Sequence, residues 1–222
     1  AGKFPAADET SRTTAATLGL YAKEVGFYRD LRHRVDVRAP VAHVAEVADN
    51  GVDFLLIFED LGPARGGNQL ASCSAADARA GVTQAAALHA PSWDNPAITD
   101  LDWLQLPEAV VEHIRGLYGT AQQIFRERYK DSLEPEFMKL CDDLNDMREL
   151  WYGREVGTKC LIHGDFRLDN MLFDIHGGAE EIAVLDWQTV GTGSGLMDIG
   201  YFLGTGIGDE LRRAHEGELL DR

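Results

Sequence analysis

The run His163-Gly164-Asp165-Phe166-Arg167-Leu168-Asp169-Asn170, followed further on by Leu185-Asp186-Trp187, holds the residues of this chain best suited to chemistry. Asp165 lies two residues after the histidine, Asn170 five after Asp165, and Asp186 ends an apolar run sixteen residues after Asn170. A carboxylate such as Asp165 can take or orient the proton of an alcohol or a water molecule. An asparagine carbonyl together with a second carboxylate suits a hard, oxygen-loving divalent cation. Phosphoryl transfer needs that combination, because its transition state is stabilised mainly by positioning and by metal ions on the phosphate oxygens. Taken singly, the same residues read as a polar loop whose aspartates cap turns. Their coincidence in a strand–loop–strand setting favours the chemical reading.

The elements around this run explain how its residues can meet. Cys160–Ile162 reads as a short strand leading into the histidine. Met171–Phe173 and Ile182–Leu185 read as two short strands joined by Gly177-Gly178, which brings the Asp165–Asn170 loop and Asp186 to adjacent strand ends. Upstream, the spacing predicts one helix over 11–32, with Leu18, Tyr21, Val25 and Tyr28 on one face. Glu24 borders that stripe, and by spacing alone it is a solvated flank. Lys3-Phe4 reads as the tail of a strand halted by Pro5. Val41–Val47 and Val52–Phe58 form a hairpin about Asp49-Asn50-Gly51. Gly62-Pro63 ends the second strand, and Arg65–Asn68 continues as a flexible polar segment.

Ser74 and Asp77 form a capping pair for a helix running to His89, where Pro91 stops it. His89 reads as a helix-end residue, since no partner lies one turn away. Trp93 and Trp103 read as anchors of a loop. Pro107 and Pro135 open helices to about Asp131 and Trp151, Gly191, Gly193 and Gly195 make a flexible loop, and two helices start near Met197 and Asp209.

Composition narrows the function classes. The chain has 222 residues, 45% of them hydrophobic, enough for a sizeable core in one large or two small domains. Its formal charge of −16 argues against a nucleic-acid partner and permits a cationic substrate. No stretch approaches the length of a membrane-spanning helix. Cys73, Cys141 and Cys160 lack metal-type spacing and read as reduced core thiols, which favours a cytoplasmic location.

The assembled motif resembles the catalytic loop and metal-binding segment of the protein-kinase-like superfamily. The likeness is strongest to its aminoglycoside phosphotransferase and choline kinase branch, including the ecdysteroid kinase-like members. His163-Gly164-Asp165 and Asp186-Trp187 match that small-molecule branch. The resemblance implies an α+β, two-lobe fold: a partial N-lobe with antiparallel strands over residues 1–61 and a mainly helical C-lobe over 62–222. It implies ATP and Mg²⁺ as cofactors and a small-molecule hydroxyl as acceptor. Asp165 would be the base, Asn170 and Asp186 the metal ligands, His163 and Asp198 supports of the loop. Asp198 has a helix N-terminal cap as its other reading. Lys3 would hold the nucleotide phosphates, Glu24 the lysine, and Glu59-Asp60-Leu61 would be the hinge facing adenine.

The pattern departs from the family at its edges. The glycine-rich phosphate loop belongs before Lys3, where only Ala1-Gly2 stand, and Leu219–Arg222 comes earlier than expected. A fragment of a longer kinase, truncated at both ends, is therefore expected. An aminoglycoside or macrolide kinase, or a nucleotide-binding pseudokinase, are the competing readings.

Overall fold

A computed structural model describes residues 1–153 and 157–221; Arg222, part of the expected early C-terminal end, lies outside them. The chain divides into two compact units, Ala1–Gln105 with Gly157–Arg222, and Leu106–Val156.

The first unit contains the small sheets. Strand β1 (Gly2–Lys3) pairs antiparallel with β3 (Phe54–Phe58), which pairs in turn with β2 (Ala42–Val47). The β2–β3 hairpin turns at Gly51, whose φ of 65° only glycine adopts freely, and the Asn50 side-chain oxygen accepts from the N–H groups of Val52 and Asp53. A second sheet has the order β4 (Arg65–Gly66), β6 (Met171–Asp174), β7 (Glu180–Val184). A third pairs β5 (Cys160–Ile162) with β8 (Gly191–Gly193). Arg65-Gly66 and Gly191–Gly193 are thus strands, not flexible loops. Neither has strand propensity of its own; each is recruited by hydrogen bonds to a buried partner strand.

The predicted helix over 11–32 is several pieces. Helix α1 (Glu9–Thr17) stops at Gly19, which is left-handed at φ 67°, and α2 (Leu20–Gly26) restarts from it. Phe27–Leu31 then forms a π-helical turn. The offset lets the Phe27 ring stack on Trp187, with centroids 3.7 Å apart and planes 3° from parallel.

Helix α3 (Ala75–Ser92) has the expected Ser74/Asp77 capping box but runs through Pro91. The proline leaves the Ala87 carbonyl without its helical donor, and the Asp36 N–H takes that place at 3.1 Å. Trp103 is partly buried against the core, whereas Trp93 is 54% exposed. All three cysteines are free, and burial pushes the Cys73 and Cys160 thiols up to about 11, which leaves them protonated.

After a single turn at Pro96–Thr99 (α4), the second unit holds α5 (Glu108–Tyr129), α6 (Pro135–Asp146) and α7 (Arg148–Gly153). The helix expected to run to Trp151 breaks at Met147, where Arg148 Nη1 donates to the Asn145 carbonyl. Arg126 and Asp142 join α5 to α6 at 2.8 Å. The first unit ends with α8 (Leu196–Thr205) and α9 (Asp209–Leu220). Among the described residues no helix is long and apolar enough to cross a membrane.

Candidate functional site

Strand β1 brings Lys3 opposite Leu56. The Lys3 ammonium donates to Glu24 Oε2 at 2.7 Å and to Asp186 Oδ1 at 2.8 Å. Glu24, on α2, is only 1% exposed, so the reading of it as a solvated flank is overturned. The π-helical turn and the Phe27–Trp187 stack turn that edge of the stripe inward against the segment after Asp186. Burial alone would lower the lysine's proton affinity, but Glu24 and Asp186 outweigh it and hold Lys3 above its ordinary range. Burial likewise pushes Glu24 up, and Lys3 offsets this only in part.

The loop after β5 is held from below. His163 is fully buried; its Nε2–H donates to the Leu185 carbonyl at 2.9 Å, and its Nδ1 accepts from the Asp165 N–H at 3.3 Å. Those roles describe a neutral imidazole, in keeping with burial pushing its pKa down against the pull of Asp198. Gly164 has φ 81°, and a Cβ there would stand 2.6 Å from the Thr189 carbonyl oxygen, so only glycine fits. Asp198 lies inside α8 and does not cap it. Its buried carboxylate accepts from the N–H groups of His163 (2.8 Å) and Gly164 (2.9 Å), and meets His89 Nε2 at 3.0 Å. His89 does have a partner, 109 residues away in sequence instead of one turn along its helix.

Asn170 Nδ2 donates to the Asp165 carbonyl and to Asp165 Oδ2, each at 2.9 Å. This commits the amide nitrogen and leaves the amide oxygen for a cation. The Leu185 N–H donates to the Asn170 carbonyl at 2.8 Å, which ties the loop to the strand end that carries Asp186. Two residues not singled out from the sequence join this group. Arg167 Nε donates to Asp165 Oδ2 at 3.1 Å. The Tyr201 hydroxyl, raised first by burial and then by the charge of Asp165, lies beside the same carboxylate. Arg167 stood within the motif itself, and Tyr201 follows Asp198 by three residues, one helical turn.

Lys3, Glu24 and Asp186 also line a cleft of about 560 Å³ with Tyr28, Leu172 and Leu185, and the Glu59–Gly62 segment forms another wall. The Glu59 carboxylate is turned to Arg38 Nη1 and the Val41 N–H, both at 2.7 Å. Leu61 packs with Ile175 and Ala183.

Gly67 supports the loop from the β4 side. Its N–H donates to the Met171 carbonyl at 2.9 Å, and a Cβ would collide with the Leu168 carbonyl oxygen. Gly67→Ala is therefore expected to lower stability by about 1–3 kcal/mol through overpacking. Urea denaturation checks this, and an unchanged midpoint would count against the contact.

A model of the ecdysteroid kinase-like family matches residues 2–222. A search of curated proteins gives no match. Among solved structures, the chain is similar to aminoglycoside 2'-phosphotransferase-IIIa in its GDP complex, at 17% identity and a TM-score of 0.55. That match covers 90% of this chain and 64% of the other. It is also similar to APH(2")-IIa in its gentamicin complex, at 16% identity and a TM-score of 0.54, covering 97% and 68%. The chain thus spans about two thirds of the length of these structures, and the likeness establishes the kinase-like fold.

Proposed function

The chain belongs to the ecdysteroid kinase-like family, and from that premise we propose that it is a phosphotransferase moving the γ-phosphate of ATP to a hydroxyl of a small molecule. One observation carries the reading: Lys3 bridges Glu24 and Asp186 at the cleft wall, while Asp165 and Asn170 share a hydrogen bond on the adjoining loop. On this reading residues 1–61 form the N-lobe and the rest the C-lobe, with the main chain of Glu59–Leu61 offered to the adenine. A cytoplasmic location agrees with three free thiols.

The donor set suits Mg²⁺. Asn170 offers an amide oxygen and Asp186 a carboxylate that is 32% exposed, both hard oxygen ligands. A cation of this kind binds through one or two protein ligands plus substrate phosphates. When bound there, the ion supplies charge neutralisation on the transferring phosphate. Lys3, fully charged, holds phosphate oxygens, and Glu24 fixes its direction. Asp165 receives or orients the acceptor hydroxyl proton, with Oδ2 already held by Asn170 and Arg167 so that the carboxylate is aimed before substrate arrives. His163 and Asp198 act on the loop backbone and touch no substrate.

Titration with MgATP is the direct test. Selective binding to the folded state raises Tm, by roughly 5–10 °C at a hundred-fold excess over Kd. No shift with or without Mg²⁺ would overturn the reading. Binding without turnover would favour a nucleotide-binding module. Aminoglycosides are the second acceptor class, favoured by the charge of −16. A panel of neutral alcohols and aminoglycosides with ATP separates the two.

A further inference from the structure

The turn joining β6 to β7 touches the hinge segment through a side chain that the phosphotransfer reading does not use. His176 Nδ1 lies 2.9 Å from Glu180 Oε1, and Nε2 lies 2.9 Å from the Asp60 carbonyl oxygen. Both partners are acceptors only. A neutral imidazole has one N–H to give, so both bonds coexist only when the ring carries two protons. We propose that His176 is a positioning residue of the nucleotide cleft, a proton-dependent latch that ties the β6–β7 turn to the Asp60–Pro63 segment.

The surroundings support a cation at this place. Glu180 accepts Arg38 Nε at 2.6 Å and Nη2 at 3.1 Å, and Arg38 Nη1 reaches Glu59 at 2.7 Å. One hydrogen-bonded chain therefore runs from the hinge residue Glu59 through Arg38 and Glu180 to His176 and back to the hinge at Asp60. Of the other charged groups nearby, Asp174 is paired with Arg65 at 3.0 Å, and the Asp60 carboxylate accepts from the Gly62 N–H. Glu180 is held below its ordinary range, first by Arg38 and then by His176. The backbone agrees as well. His176 is left-handed (φ 53°), an uncommon state for a residue with a side chain. The same conformation lets its N–H donate to the Leu61 carbonyl at 3.0 Å, and Gly177 N–H to Pro63 at 2.8 Å.

The sign follows from the geometry. A proton on the ring satisfies both acceptors, so the latch is closed at low pH. Loss of one ring proton opens it, because the nitrogen left bare then faces a carboxylate or a carbonyl. The two main-chain bonds persist, and the ring is about one third exposed, so the effect is one of degree.

The consequence for nucleotide rests on the phosphotransferase reading, so the experiment has two arms. Between pH 5.5 and 8, amide exchange of His176 and Gly177, corrected for intrinsic rates, is compared in the wild type and in His176→Asn, a residue that tolerates the left-handed backbone. ATP affinity is measured on the same samples. In the wild type, protection should fall with rising pH and Kd should weaken roughly three-fold. The variant should be flat in exchange, at the wild type's high-pH value, and should lose the part of the Kd trend not due to ionisation of the nucleotide itself. An equal pH response in the variant, or wild-type protection that does not change with pH, would overturn the latch. Absence of ATP binding at every pH would overturn the function and leave the exchange arm to decide the latch alone.

Discussion

Asp186→Ala is expected to abolish measurable phosphate transfer, a loss of roughly 10³-fold or more. The carboxylate serves twice, as the 2.8 Å partner of Lys3 and as the proposed anionic ligand of Mg²⁺. Removing it leaves Lys3 bonded to Glu24, so the ionic link from Lys3 to the strand end is lost while the Phe27–Trp187 stack stays in place. Asp186 also has a left-handed backbone at φ 64°, which alanine adopts at a cost of about 1 kcal/mol. Asp186→Asn keeps the backbone preference and removes only the charge. The two variants together separate chemistry from folding, with Tm and single-turnover rates as readouts. Near-normal transfer by the alanine variant would remove Asp186 from the metal site.

Asp165→Asn should reduce kcat by about 10²–10⁴-fold, the usual range for a general base, and leave the ATP Kd within two-fold. The amide can still accept the Asn170 bond that orients Asp165 now, so the loop keeps its shape. Arg167, bonded to the same oxygen, would lose a charged acceptor, and some softening of the loop is included in that range. A kcat unchanged by this substitution would take Asp165 out of the base role. A matched rise in Kd would instead place it in nucleotide binding.

The residues that form the candidate site were legible because the loop is compact in sequence. His163, Asp165 and Asn170 lie within one turn and its flanks, and the apolar runs on either side mark the strand ends. The hairpin was legible for the same reason, its turn residues being local. What failed was non-local. Gly19 breaks a helix whose apolar spacing reads straight through it, and only the resulting stack of Phe27 on Trp187 explains why Glu24 turns inward. His89 finds Asp198 across 109 residues, and Arg38 finds Glu180 across 142, distances at which spacing carries no signal. The glycine-rich strands Arg65-Gly66 and Gly191–Gly193 have no propensity to read; their partners define them. Pro91 looked like a helix stop because the donor that replaces its missing N–H, at Asp36, lies far away in sequence.

The Lys3–Asp186 contact also sets a timetable for synthesis. Its partners are 183 residues apart, and Lys3 sits in its strand by pairing with β3. At 5–20 residues per second, the ribosome needs roughly 10–40 s to deliver Asp186 after Lys3. Throughout that interval the first strand and helix carry a lysine and a glutamate awaiting their third partner. Glu24, buried in the finished protein, cannot be sealed from water until the Trp187 segment arrives to cover that side. Contacts of such sequence separation form late and slowly. The pairing of Lys3 with Asp186 is therefore among the last contacts of the site to form.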